Sequence, residues 1–176
     1  MIERHQTQLR SSAQAFIWAA LQIPTGRHHV IPLPVFGEWS AARIVFHVLW
    51  YEINVVFPAV IAWDDRPSFP DEDEAAAAWS ANTDSVEVML GTLREKREAL
   101  IARLDEKRLD LDARQNTPWG RVTLRWWLLH AYQHMLDYTN TLLSMALYWD
   151  QYLEAQKQAR LAQREKDEAG WVPPKE

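Results

Sequence analysis

Residues 124–142 read LRWWLLHAYQHMLDYTNTL, and their spacing decides the fold class. Leu124, Leu128, Ala131, Met135 and Leu142 recur at intervals of three, four and seven. At about 100° per residue they fall in one stripe, the mark of an amphipathic helix with one face in a core. Set into this segment are His130 and His134, four apart, and Tyr138 four further on. On the helical wheel Tyr138 lies near the stripe, His134 at its edge and His130 furthest round. The helix is predicted to begin near Val122 or Thr123 and to run to at least Trp149.

Three other helical regions precede it. Leu9, Ala13, Phe16, Ile17, Ala20 and Leu21 form a stripe over residues 3 to about 23, stopped by Pro24 and Gly26. Residues 24–38, PTGRHHVIPLPVFGE, hold three prolines and two glycines and read as a loop. Within it His28 and His29 read as loop surface, with the mouth of a pocket as the alternative. Ser40 is the expected N-cap of a second helix, AARIVFHVLWYEINVVF, which Pro58 should end or kink. Residues 64–74 are an acidic, proline-containing connector. A third helical region is predicted from about Glu72 to Glu106, with Val86, Leu90, Leu93, Leu100, Ile101 and Leu104 on one face. Asn82, Thr83 and Asp84 leave open whether its first part is a separate short helix. Residues 107–120 read as a loop ending in NTPWG, and no alternating strand pattern of useful length is found. These elements predict an all-α four-helix bundle over residues 1–150. Residues 151–176 are expected to be a charged helical extension and a loose tail.

Apolar residues make up 48% of the chain, and 10 tryptophans stand against 5 glycines, which describes a packed domain. The net charge of -5, with no basic block outside the C-terminal tail, argues against nucleic acid or an anionic membrane as the main partner. The absence of cysteine removes disulfides, Cys-based zinc sites and a protein thiol nucleophile. The opening MIERHQTQLR is charged and lacks the apolar core of a secretory signal. No apolar run reads as long and charge-free enough to span a bilayer, so a cytoplasmic protein is expected.

Metal sites in bundles take inward-pointing ligands from facing helices. Two histidines at i and i+4 share a helix face, and His47, in RIVFHVLWYE, offers an imidazole from a second helix. The glutamate of an H-E-x-x-H motif is missing, so zincin-type hydrolysis has no support. From the residues alone the histidines read either as metal ligands or as hydrogen-bonded core residues. Trp39, Trp50, Trp119, Trp126 and Trp127 read as core packing, with the wall of an aromatic pocket as the alternative.

Three features then coincide: Trp39-Ser40 opening a helix with His47 eight residues after the tryptophan, TPWGRVTL at 117–124, and the histidine-rich turn of the last helix. Together they resemble the DinB-like superfamily of metal-binding four-helix bundles, over about residues 5–149. The resemblance implies that His47 is one metal ligand. Aligned from the Thr-Pro-x-Gly turn, the first histidine of the family's H-x-x-x-H falls on His134, the second on Tyr138, and the usual glutamine on Thr141. His130, one turn earlier, is the alternative third imidazole. The resemblance further implies a divalent ion, zinc or nickel, a small-molecule partner, a homodimer, and metal-assisted transfer of a low-molecular-weight thiol. The rival expectation is a non-catalytic bundle with a degenerate metal site, acting as a small-molecule-binding or dimeric interaction module.

Overall fold

The computed structural model describes residues 2–61, 69–106, 110–118 and 120–170. It is predominantly helical. The chain runs through α1 (Ile2–Leu21), α2 (Ala41–Tyr51), α3 (Phe57–Ile61), α4 (Glu72–Ala81) and α5 (Val86–Glu106). A hairpin of β1 (Arg114–Thr117) and β2 (Gly120–Thr123) then leads into the long α6 (Leu124–Gly170). α1 packs on α5 and α6, and α2 packs on the same two helices, so these four make the bundle. α4 lies against α2 as a separate short helix, started by an Asp71–Glu74 capping box.

Local chemistry explains where the elements begin and end. Ser40 Oγ accepts the Arg43 amide at 3.2 Å and caps α2, as the sequence predicts. The loop of residues 24–38 contains only two single 3-10 turns, Thr25–Arg27 and Pro34–Phe36. At Pro58 the second helix neither ends nor simply kinks. A π-helical turn, Glu52–Val56, joins α2 to α3, and the Phe57 amide bonds back to the Glu52 carbonyl. Proline has no amide, and in an unbroken α-helix its ring would press on the carbonyl of Asn54. Widening the preceding turn relieves that conflict.

The hairpin is a correction to the predicted loop. Its strands are short and, Val122 apart, built of polar residues and glycine, so they carry no apolar alternation to read. Gly120 at φ 111° makes the positive-φ turn that most side chains resist. The hairpin also starts α6. Thr123 Oγ1 accepts the Trp126 amide, and the Leu124 and Arg125 amides bond the Ala113 and Leu111 carbonyls.

The core has two parts. One gathers Phe16, Ala42, Val45, Leu93, Leu142 and their neighbours, and the other Leu9, Val56, Leu100, Leu124 and Trp127. Trp50 packs against both. At the junction Arg97 Nη2 donates to Glu52 Oε2 at 2.8 Å, both side chains being almost fully buried. Pro34–Ile61 proves long and apolar enough by composition to cross a membrane, which corrects the sequence reading. About 56% of its apolar window is buried inside the bundle. Buried residues along α6 end at Trp149, and residues 151–167 are exposed on all sides. Trp119, the 64–68 part of the acidic connector, residues 107–109 and the tail 171–176 lie outside the described residues.

Candidate metal centre

Two helices bring the site together through one shared interval. Trp39, Arg43, His47 and Tyr51 follow each other every four residues along α2 and its approach. Trp126, His130, His134 and Tyr138 do the same along α6. Residues four apart drift only about 40° round a helix, so each set forms a ladder on one face. The ladders meet in opposite directions. Trp39 stacks on Tyr138 with ring centroids 6.2 Å apart, His47 Nε2 lies 3.2 Å from His134 Nε2, and Tyr51 Oη bonds His130 Nε2 at 2.9 Å.

Rings close around the central pair. Trp39 and Tyr138 approach the His47 ring with centroids at 4.9 and 5.0 Å, and Tyr51 stacks on His134 at 4.3 Å. Trp126 covers His130 at 4.6 Å. Burial, aided by the charge of Arg43, lowers His47 to about 4. Burial, with added repulsion from His47, His130 and Arg97, lowers His134 to about 3. Both imidazoles are therefore neutral at neutral pH, which is the form that binds metals. Burial pushes both phenols up, helped by Glu52 at Tyr51 and by Asp137 at Tyr138. Neither is poised to become phenolate.

The predicted residues separate into two groups. His47 and His134 face each other from α2 and α6. His130 sits on the same ladder, but its Nε2 is engaged by Tyr51 and its ring centroid is 6.0 Å from that of His134. Tyr138 lines the pair beside Trp39 and reaches neither imidazole through a hydrogen bond. Among the described residues no group of three His, Cys, Asp or Glu side chains is set to hold one ion. Thr141, at the usual glutamine position, borders a cleft of about 330 Å³ with Trp39 and Tyr138. Asp137 is exposed.

Tyr51 is the site residue that sequence reasoning missed. Its signal was present: it stands four after His47, as Tyr138 stands four after His134. His28 corrects the loop-surface expectation. It is buried, and its Nε2–H donates to the Ile23 carbonyl at 3.0 Å, while its own carbonyl accepts the Ala42 amide. The tryptophans divide: Trp127 is fully buried, whereas Trp39 and Trp126 cover the histidines.

The fold and these paired ladders define an all-α bundle with imidazoles facing across its second and last helices. The family model of the DinB superfamily matches residues 8–137, and the chain belongs to that superfamily. The match includes His47, His130 and His134 and stops one residue before Tyr138. No curated protein and no solved structure matches the chain.

The 3.2 Å approach of His47 and His134 is that of a hydrogen bond between imidazoles, and it can also be set against the spacing of two ligands on one ion. Two nitrogens each bound to one tetrahedral zinc stand about 3.3 Å apart, given metal–nitrogen bonds of about 2.0–2.1 Å. The His47–His134 separation of 3.2 Å agrees with that span.

Proposed function

We propose that this bundle binds a divalent transition-metal ion, zinc or nickel, between His47 and His134. We further propose that it activates a low-molecular-weight thiol for transfer to an electrophile. The observation that carries the reading is the 3.2 Å approach of two Nε2 atoms on imidazoles held neutral by burial. A bound ion of this kind lowers the pKa of a thiol, so that thiolate is available at neutral pH. The thiol is a cosubstrate, because the chain has no cysteine.

The chain's own residues shape the space around the pair. His47 and His134 supply two neutral donors, and the remaining positions belong to exogenous ligands. Tyr51 holds His130 Nε2 in a hydrogen bond and so keeps the third imidazole from the pair. Trp39 and Tyr138 pack against the His47 ring and line the adjoining cleft. As neutral phenols, Tyr51 and Tyr138 offer hydrogen bonds to a bound small molecule rather than charge.

Metal analysis of untagged protein tests this, on wild type and a His47→Ala/His134→Ala variant. One equivalent in wild type and none in the variant is expected. A wild-type protein without stoichiometric metal after incubation with zinc, nickel or manganese would overturn the reading. In that case the non-catalytic alternative stands. It is supported by the way His47 with His134, and Tyr51 with His130, satisfy one another as two hydrogen-bonded pairs beside the 330 Å³ cleft.

A homodimer belongs to the same proposal. Its candidate surface is the outer part of α6, where Leu147, Tyr148, Tyr152, Leu153 and Leu161 are exposed. Light scattering should give a dimer for wild type and a monomer for Leu153→Glu/Leu161→Glu. A monomeric wild type at micromolar concentration removes the dimer.

A further inference from the structure

A second cleft, of about 390 Å³, opens between the start of α2 and α4. Its lining includes His29, Glu38, Trp39, Ser40, Arg43 and Trp79. Trp39 is common to this cleft and to the ring cage of His47. Arg43 stands one helical turn before His47 on the same ladder.

The Arg43 guanidinium is held by rings alone. It lies 5.1 Å from the Trp79 centroid, 5.4 Å from Trp39 and 6.0 Å from Phe46. Its Nη1 is buried without a hydrogen-bond partner, and no ion pair joins it to a carboxylate among the described residues. Four other arginines are neutralised: Arg10 by Glu98, Arg27 by Asp150, Arg97 by Glu52 and Arg125 by Asp112, at 2.6–3.1 Å. A half-buried cation held against indole rings and lacking a counter-charge suits a planar anion. One guanidinium with Glu38 in the same lining suits a carboxylate monoanion better than a phosphate dianion.

We propose that this cleft is the carboxylate subsite for the molecule that reaches His47 and His134, resting on the metal reading given above. The cosubstrate is then a thiol that carries a carboxylate a few bonds from its sulfur. Arg43 and His47 stand four residues apart on α2, a rise of about 6 Å along the helix axis.

Two titrations test the subsite and the metal reading separately. In metal-free protein, propionate should shift the Arg43 Nε–H resonance in a saturable way, and inorganic phosphate at equal concentration should not. In zinc-loaded protein, 3-mercaptopropionate should bind at least about tenfold tighter than 1-propanethiol, the scale of one charge-assisted hydrogen-bonded pair. Arg43→Gln, checked for folding by circular dichroism, should level the two thiols. An unmoved Arg43 resonance together with equal thiol affinities would overturn the proposal, and a phosphate shift as large as that of propionate would overturn its carboxylate selectivity. A propionate shift in a protein that takes up no zinc would sink the metal reading and leave the subsite standing.

Discussion

Tyr138 is where one residue decides most. Its ring centroid lies 5.0 Å from that of His47 and 5.1 Å from that of His134, in contact with both. Burial and the nearby Asp137 keep its phenol protonated, so it is a poor donor to a cation. Tyr138→His would set a third neutral imidazole beside the first two. Zinc affinity, measured by competition with a chromogenic chelator, should rise by at least about tenfold, as expected for an added ligand worth over 1.4 kcal/mol. Unchanged affinity would show that position 138 does not reach the ion. The sequence places Tyr138 one turn after His134, and the structure sets its ring against both imidazoles, because a four-residue interval survives any small error in helix boundaries. It did not point to Tyr51. A tyrosine among Val48, Leu49 and Trp50 looks like ordinary packing until its hydroxyl is seen against His130.

At the scale of elements, the helices were legible and their junctions were not. Periodicity locates α1, α2, α5 and α6 because each buries one stripe. It says nothing of the hairpin, whose strands are polar, nor of the π turn, which arises from a proline acting one turn upstream. That turn also places Glu52 inside, facing Arg97 on α5. Burial drives the Glu52 carboxyl up, against the pull of Arg97. Glu52 Oε1 and Arg97 Nε and Nη1 have no hydrogen-bond partner among the described residues, so the pair is imperfectly satisfied. Arg97→Ala removes one partner and should cost about 3–5 kcal/mol in urea unfolding. The double variant Glu52→Gln/Arg97→Met removes the buried charges together and should recover most of that loss. A double variant as unstable as the single one would show that packing around Arg97, rather than its charge, holds α2 to α5.

For the whole molecule, acid acts through the buried imidazoles. Unfolded histidine titrates near 6.5. In the folded, metal-free protein His47 is at about 4 and His134 at about 3, and burial lowers His130 as well. Below about pH 6.5 the unfolded chain therefore binds more protons than the folded one, and acid favours unfolding. Stability from this source is complete above about pH 6.5 and is lost as the pH falls towards the folded values. Glu52, raised by burial, acts with the opposite sign. Urea midpoints of metal-free wild type should therefore fall between about pH 7.5 and about pH 5 more than those of His47→Gln/His134→Gln. Parallel pH dependences in the two proteins would contradict the buried, neutral state of the pair.

The equal intervals on α2 and α6 also bear on alignment. Slide one helix past the other by a turn, about 5.4 Å, and imidazoles and aromatic rings again face one another. The ladders therefore cannot measure their own position. That task falls to the ends. At the start of α6 the carbonyls of Leu111 and Ala113, just before the hairpin, hold the Arg125 and Leu124 amides. Further along, Phe36 stacks on Trp149 and Arg27 pairs with Asp150. The chemistry at the centre is thus indexed from outside, like a vernier whose zero is set by its end stops.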